Sequence, residues 1–313
     1  MDFLEFKTGP DDNGRRLDKV LRIFNEALSL AQIYKALRKG LIKVNNKKAQ
    51  PDYRIQDKDV IYIAKFLCQT EEKPEISTVS VKNPVKNELE IVFNNEHFII
   101  VNKPAGINIH PATKNEISLI DLVNDYYSKN YKNESLAFKP GPLHRLDKMT
   151  SGLICFSASY DGAKYFSNIM QEHGIKKTYK AIVQGKMTEK QEWIDLLKKE
   201  DNTKGFHTVK VCEEGKQSIT RAIPVKTMTV NGQELTEVEF EIQTGRQHQI
   251  RAQASYHGFP LWGDTAYGGK KDANNGGKYF LCAYKLEFPQ NELGLPQKIE
   301  IECPPCDIKT FNI

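Results

Sequence analysis

Residues 66–87, FLCQTEEKPEISTVSVKNPVKN, break the chain in two. Glu, Lys, Ser, Thr and Pro dominate this stretch and no helical period runs through it, so it reads as a linker. A chain of 313 residues interrupted in this way is expected to form more than one domain. The charge falls on the same line. Residues 1–70 carry 14 Lys+Arg against 9 Asp+Glu and account for the whole formal net charge of +5; the rest holds 31 of each. A basic module ahead of a near-neutral one points to a polyanionic partner, set against the plainer reading of a solvated cationic face.

Composition excludes several classes. With 39% hydrophobic and 27% charged residues the chain is an ordinary globular one. No run of about 18 apolar residues exists, so no membrane span is expected. The opening MDFLEFKTGPDD lacks the charged and apolar regions of a secretion signal, which leaves the cytoplasm as the expected location. Six scattered cysteines (Cys68, Cys155, Cys212, Cys282, Cys303, Cys306) fit reduced thiols better than a disulfide framework.

After an expected N-terminal tail (1–13), residues 14–65 hold two helical patterns and two strands. Leu17, Val20, Leu21 and Phe24 recur at i, i+3, i+4, i+7. Ser29 can cap a second helix, with Ile33 and Leu37 on its apolar face and Gly40 as its stop. LIKVN alternates, Asn45-Asn46 allows a tight turn, and DVIYI forms a further strand. RLDKVL, LRKGLIKVN and DKDVI together resemble the S4 RNA-binding domain. That resemblance implies a module that grips shaped RNA through phosphates, with Arg15, Arg16, Lys35, Arg38, Lys39, Lys43, Lys47 and Lys48 as its contacts.

Residues 88–313 read as a second, larger domain. ELEIVFNNEHFIIVNKP gives two strands joined at Asn94-Asn95. SLIDLVNDYYSKNY is helical, with Ser118 and Asp121 as a capping pair. GLICFSAS, KKTYKAIVQGKM and ELTEVEFEIQTG are strands, and ASYDGAKYFSNIMQEHG is a helix ended by Gly174. Strands outnumber helices at hairpin spacing, so the expected class is α+β with a mixed or antiparallel sheet.

The stretch HRLDKMTSGL (144–153) can be tested against known chemistries. His144, Asp147 and Ser151 sit too close in sequence for a hydrolase triad, and no GxSxG elbow is present. No GxxxxGK[ST] phosphate loop occurs. CPPC at 303–306 is one CxxC without a second pair of ligands, so no metal is expected. What remains is an aspartate with arginines at hand. Thr244 and Gln247 have capping-box spacing, which predicts a helix beginning there with Arg246 in its first turn. An aspartate held by that arginine stays ionised and can act as nucleophile or base, although a structural Asp–Arg pair has the same signature.

NKPAGINIHPA, HRLDKMTSGL, KKTYKAIVQG and IQTGRQHQIRAQASYHGFPLWGDTAYGG, in that order, resemble the RluA-type pseudouridine synthases; the S4-like module ahead of them is the arrangement of the RluC and RluD members. The Met of DKMTSG and the Ala-Gln after HQIR are mild departures, and residues 186–235 match the family poorly. The resemblance implies isomerisation of uridine in RNA, most naturally large-subunit ribosomal RNA, by a monomer that needs no cofactor. It implies that Asp147 is the essential carboxylate, that Arg145 enters the RNA stack and that Tyr179 stacks on the flipped uracil. It further implies that Arg246 is the ion-pair partner of Asp147 and that Ile250 walls the pocket. A non-catalytic RNA-binding or ribosome-assembly protein would need one of the Asp, Tyr or Arg positions broken, and a glycosylase would release free base.

Overall fold

The computed structural model describes residues 2–68, 89–113, 115–132, 134–201, 207–270 and 278–303. Most of the expected linker and Cys306 of the CPPC motif lie outside the described residues. The chain divides into two compact units: residues 1–88 with 123–140 and 158–161, and the remainder.

In the first unit, α1 (Leu17–Phe24) and α2 (Leu30–Lys39) pack on a three-stranded sheet. Its strands are β1 (Phe3–Lys7), β2 (Ile42–Val44) and β3 (Val60–Ala64), in the order β1-β3-β2. As the sequence predicts, Ser29 caps α2 and Gly40 ends it in the left-handed region (φ 69°); Gln32 completes a reciprocal capping box with Ser29. Asn45 and Asn46 turn with φ of 48° and 61°, the hairpin geometry that Asn tolerates. The N-terminal tail is the first correction. Phe3–Lys7 pairs along its whole length with β3. Beyond it the buried Asp12 carboxylate accepts hydrogen bonds from Ser135 Oγ (2.6 Å) and the Leu136 amide (2.9 Å). Leu136 and Ala137 complete the core of Leu17, Val20, Ile33, Leu37, Ile42 and Ile61, so this module is assembled from separated pieces of the sequence.

The second unit is built on a ten-stranded sheet. Its strands are β4 (Glu90–Asn94), β5 (Phe98–Lys103), β6 (Ser151–Ser157), β7 (Lys176–Gln184), β8 (Gln191–Asp201), β9 (His207–Val211), β10 (Lys216–Val230), β11 (Gln233–Ile242), β12 (Leu281–Glu287) and β13 (Lys298–Glu300). The order is β4-β5-β6-β12-β7-β11-β10-β8-β9, with β13 on β12. Among the described residues only β6 and β12 run parallel, which makes the sheet mixed, as expected. The helices are α3 (Leu119–Asn130, whose first turn belongs to this unit), α4 (Tyr160–Gln171) and α5 (Gln249–Tyr256). Residues 186–235, unassigned from sequence, supply β8, β9, β10 and the start of β11. Alternation along β11 puts Val238, Phe240 and Ile242 into a core with Tyr179, Ala181, Trp193 and Ile250.

Candidate active site

Three chain segments converge where β6 begins and β11 ends. The first is the turn that carries Asp147, closed by a hydrogen bond from the Thr150 amide to the Asp147 carbonyl (3.1 Å). This turn runs straight into β6, whose Gly152 (φ 108°) leaves no room for a side chain: a Cβ there would lie 2.2 Å from the Ala283 carbonyl oxygen of β12. A fully buried lysine, Lys103, holds the turn from below. Its ammonium donates to the carbonyls of Lys148 (2.9 Å), Pro104 and Ile107 (3.1 Å each), and the Gly106 amide donates to the same Lys148 carbonyl (2.8 Å). Burial pulls the Lys103 pKa down to about 8 against the opposing pull of Asp147. NKPAG is therefore the clamp of the aspartate turn. His144 braces the same turn: its Nε2 accepts from the Cys155 amide (3.0 Å) and its ring stacks on Phe166. Burial, and then the Lys177 charge, hold its pKa down at about 3, so it is a neutral strut.

The second segment is β7. Tyr179 sits opposite Phe240 of β11 and Ala283 of β12, buried except where it meets the cleft. Burial, and then the charge of Asp147, push its pKa well above the ordinary phenol value, so it presents a ring face and a neutral hydroxyl.

The third segment, 243–251, differs from the sequence expectation in a way that changes the chemistry. The helix begins at Gln249, not at Thr244. Gln249, rather than Gln247, reaches back: its Oε1 accepts from the Arg246 amide (3.0 Å) and Thr244 Oγ1 (2.8 Å), while its Nε2 donates to the Ile219 carbonyl (3.1 Å) and Thr220 Oγ1 (2.9 Å). Arg246 is thereby left on the turn, exposed, with Nε donating to the Gln217 carbonyl (3.1 Å). The ion pair expected between Arg246 and Asp147 forms instead with Arg251, in the first turn of α5, at 3.4 Å. Arg251 also grips Asp264 with two bonds (2.6 and 2.9 Å) and lies between the rings of Tyr267 and Tyr279 (4.7 and 4.6 Å). Burial opposes its charge, but the Asp264 bonds and the flanking groups outweigh it and its pKa rises.

His248 is a second unforeseen neighbour. It adopts the left-handed region (φ 51°) and brings Nε2 to 3.7 Å from the Asp147 carboxylate. Its Nδ1 lies 2.8 Å from Tyr267 Oη, which itself accepts from the Val209 amide (2.9 Å). Burial lowers the His248 pKa, partly offset by Asp147, which favours the neutral imidazole. HQIR carried the signal for both residues, and its first and last members are the ones at the aspartate.

These groups open on a cleft of about 680 Å³ with a smaller recess of about 60 Å³ at Asp147. Asp147, Tyr179, Arg145 and Arg246 line both, and Ile250 lines the recess, so the five site residues read from sequence do meet. Ile250 shares its wall with Arg246 but not its helix face, because Arg246 precedes the helix. Arg145 is exposed at the rim. In the other unit Lys35, Arg38, Lys39, Lys47 and Lys48 are exposed, whereas Lys43 covers the Phe3 ring (4.7 Å). Arg16 is engaged in an ion pair with Asp18 (2.8 Å), and Arg15 lies over the Tyr160 ring (5.2 Å).

Comparisons with known proteins agree with this geometry. The model of the RNA pseudouridylate synthase family matches residues 97–256, and that of the S4 domain matches residues 15–61. The chain is 31% identical over 295 residues to the ribosomal large subunit pseudouridine synthase C of Rickettsia conorii, covering 92% of this chain and 94% of that one. It is 27% identical over 303 residues to the protein of the same name from Escherichia coli, covering 93% and 90%. Human RNA pseudouridylate synthase domain containing 1 shares the fold, with a TM-score of 0.55 at 22% identity over 69% of this chain and 83% of that one.

Proposed function

The chain belongs to the RNA pseudouridylate synthase family and isomerises uridine within RNA, and we propose that it acts on large-subunit ribosomal RNA with Asp147 as its one essential carboxylate. In this reaction the N1–C1′ bond breaks, the uracil turns while held, C5 bonds to C1′, and the C5 proton leaves as N1 gains one. The target leaves its stack at a cost of a few kcal/mol, offset by stacking in the pocket and by phosphate contacts. Asp147 supplies the carboxylate oxygen at the sugar–base junction, set in place by Arg251, with His248 beside it. The Tyr179 ring carries the uracil, with its hydroxyl beside the travelling proton, and Ile250 keeps the floor apolar. Arg145 at the rim fills the gap left in the stack. The exposed cations of the S4 domain, Lys35, Arg38, Lys39, Lys47 and Lys48, supply phosphate contacts.

The observation that carries this reading is a single carboxylate, paired with a buried arginine, facing a buried tyrosine across a nucleoside-sized cleft. Relatives named for the large ribosomal subunit over nine-tenths of the chain support the choice of substrate. That substrate accords with a cytoplasmic monomer, and among the described residues no helix is long and apolar enough to cross a membrane. The test is to map pseudouridines in ribosomal RNA from a strain lacking the gene. One or more large-subunit positions should revert to uridine and be restored by the wild-type gene but not by Asp147→Asn. An unchanged large-subunit map would refute the substrate, and rescue by Asp147→Asn would refute the role of the aspartate.

A further inference from the structure

Lys177 lies two residues before Tyr179 on β7, so both side chains point to the same face of the sheet, about 7 Å apart along the strand. Its residue is 8% exposed, yet among the described residues its ammonium takes part in no ion pair or hydrogen bond. The groups whose fields reach it are the neutral His144 imidazole and the Cys155 thiol, which burial keeps protonated. The ammonium opens on the cleft, where it is only partly hydrated and the fold sets no acid beside it. Both Lys177 and Gly245 line the large cleft. A Cβ at Gly245 would stand 3.5 Å from the Lys177 ammonium, so the bare glycine keeps the approach to that charge open.

The rest of the cleft has the same sign. Its lining includes the cations Arg145, Lys148, Lys177 and Arg246 and a single acid, Asp147, which Arg251 already pairs. Of those cations Lys148 leans on Glu116 (3.6 Å) and Arg246 on a backbone carbonyl. Lys177 is the one set deepest and left unmatched.

We propose that Lys177 is the anchor of a phosphate subsite, which takes a phosphodiester flanking the uridine stacked on Tyr179. The inference rests on the RNA-modifying reading of the cleft, because phosphates are the anions that RNA brings there. Burial lowers the pKa of Lys177, and an arriving phosphate restores its charge and gains a desolvated, charge-assisted hydrogen bond. The subsite thus fixes the backbone next to the flipped nucleotide and sets the sugar against Asp147.

The test is a binding cycle on the full-length protein. The probes are an RNA stem–loop carrying a mapped target uridine and two copies with one neutral methylphosphonate linkage, 5′ or 3′ of it. For the wild type, one of the two linkages should weaken binding about ten- to a hundredfold. Lys177→Met should weaken binding of the unmodified RNA by a similar factor and make the log–log salt dependence shallower by about 0.7. The same linkage should then cost Lys177→Met nothing further, while Lys177→Arg should keep its sensitivity. The melting temperature of Lys177→Met should equal or exceed that of the wild type, since a poorly hydrated cation without a counter-charge is removed. Additive losses in the cycle would overturn the proposal, as would a lowered melting temperature with unchanged RNA affinity. Release of the C5 proton from the target is followed alongside; its absence in the wild type would sink the reading of the reaction, while the binding cycle still decides Lys177.

Discussion

Replacing Arg251 with Met separates the structural from the chemical work of that residue. Arg251 serves two carboxylates unequally: Asp264, 2% exposed and held by two bonds, and Asp147, 24% exposed and met by one nitrogen at 3.4 Å. Removing one partner of a buried pair costs about 3–5 kcal/mol, because the other charge stays buried without compensation. The partly exposed Asp147 contact is screened by solvent and adds about 1 kcal/mol at most. Nearly all the loss of stability should therefore come from Asp264. For a domain of this size that is a drop in melting temperature on the order of 10 °C. Adding Asp264→Asn removes the orphaned charge and should return most of the loss, to within about 1–2 kcal/mol of the wild type. Activity should not return, since Asp147 still lacks its cation. The assay is urea and thermal unfolding of wild type, Arg251→Met and the double variant, with single-turnover pseudouridine formation on the same preparations. A double variant as unstable as the single one would refute the argument, because the cost would then lie in poorer packing against Tyr267 and Tyr279. Recovered turnover would show that Asp147 does not depend on Arg251.

Tyr179→Phe should keep RNA affinity within a few-fold while the single-turnover rate falls about a hundredfold or more, as the ring survives and the hydroxyl does not; equal rates would remove the hydroxyl from the reaction. His144 is held neutral down to about pH 3 in the fold but takes a proton near pH 6.5 when unfolded, so it contributes stability at neutral pH that is lost as pH falls from about 6.5 to 3. Urea titrations across that range should show a shallower acid loss for His144→Asn, and parallel curves would contradict the assignment. Deleting residues 1–68 should yield a poorly soluble protein with a lowered melting temperature, because Leu136 and Ala137 lose the core they complete. Combined Gln substitutions at Lys35, Arg38, Lys39 and Lys47 should leave folding intact and flatten the salt dependence of RNA binding by about 0.7–0.9 for each phosphate no longer neutralised. An unchanged slope would make that face merely solvated.

Local pattern reached a long way into this molecule. Apolar spacing placed α1 and α2, Ser29 and Gly40 marked the two ends of α2, and alternation placed β7 and β11. What escaped was settled by distant partners. FLEFK is a short, mostly exposed run that becomes β1 only because β3, more than fifty residues on, pairs with it. The start of α5 was misjudged because two capping glutamines compete, and the winner, Gln249, is chosen by Ile219 and Thr220 on β10. That choice moves the arginine at Asp147 from Arg246 to Arg251, a shift no helical period could foretell. Asp147 and Tyr179 were legible because their motifs are local, whereas His248, Asp264 and Tyr267 join the site through contacts that the fold creates.

The scattered make-up of the N-terminal unit bears on how the chain is born. Its core lacks Leu136 and Ala137, and Asp12 lacks Ser135 and the Leu136 amide, until some seventy residues beyond Leu67 have been translated. At roughly 5–20 residues per second that interval lasts about 4–14 s, during which the basic segment is exposed but its scaffold is unfinished. A ribosome that stalls or drops the chain in that window releases the S4-matching segment with its core unfinished. Such a fragment carries the exposed cations of α2 but should be less stable than the same segment in the full-length protein.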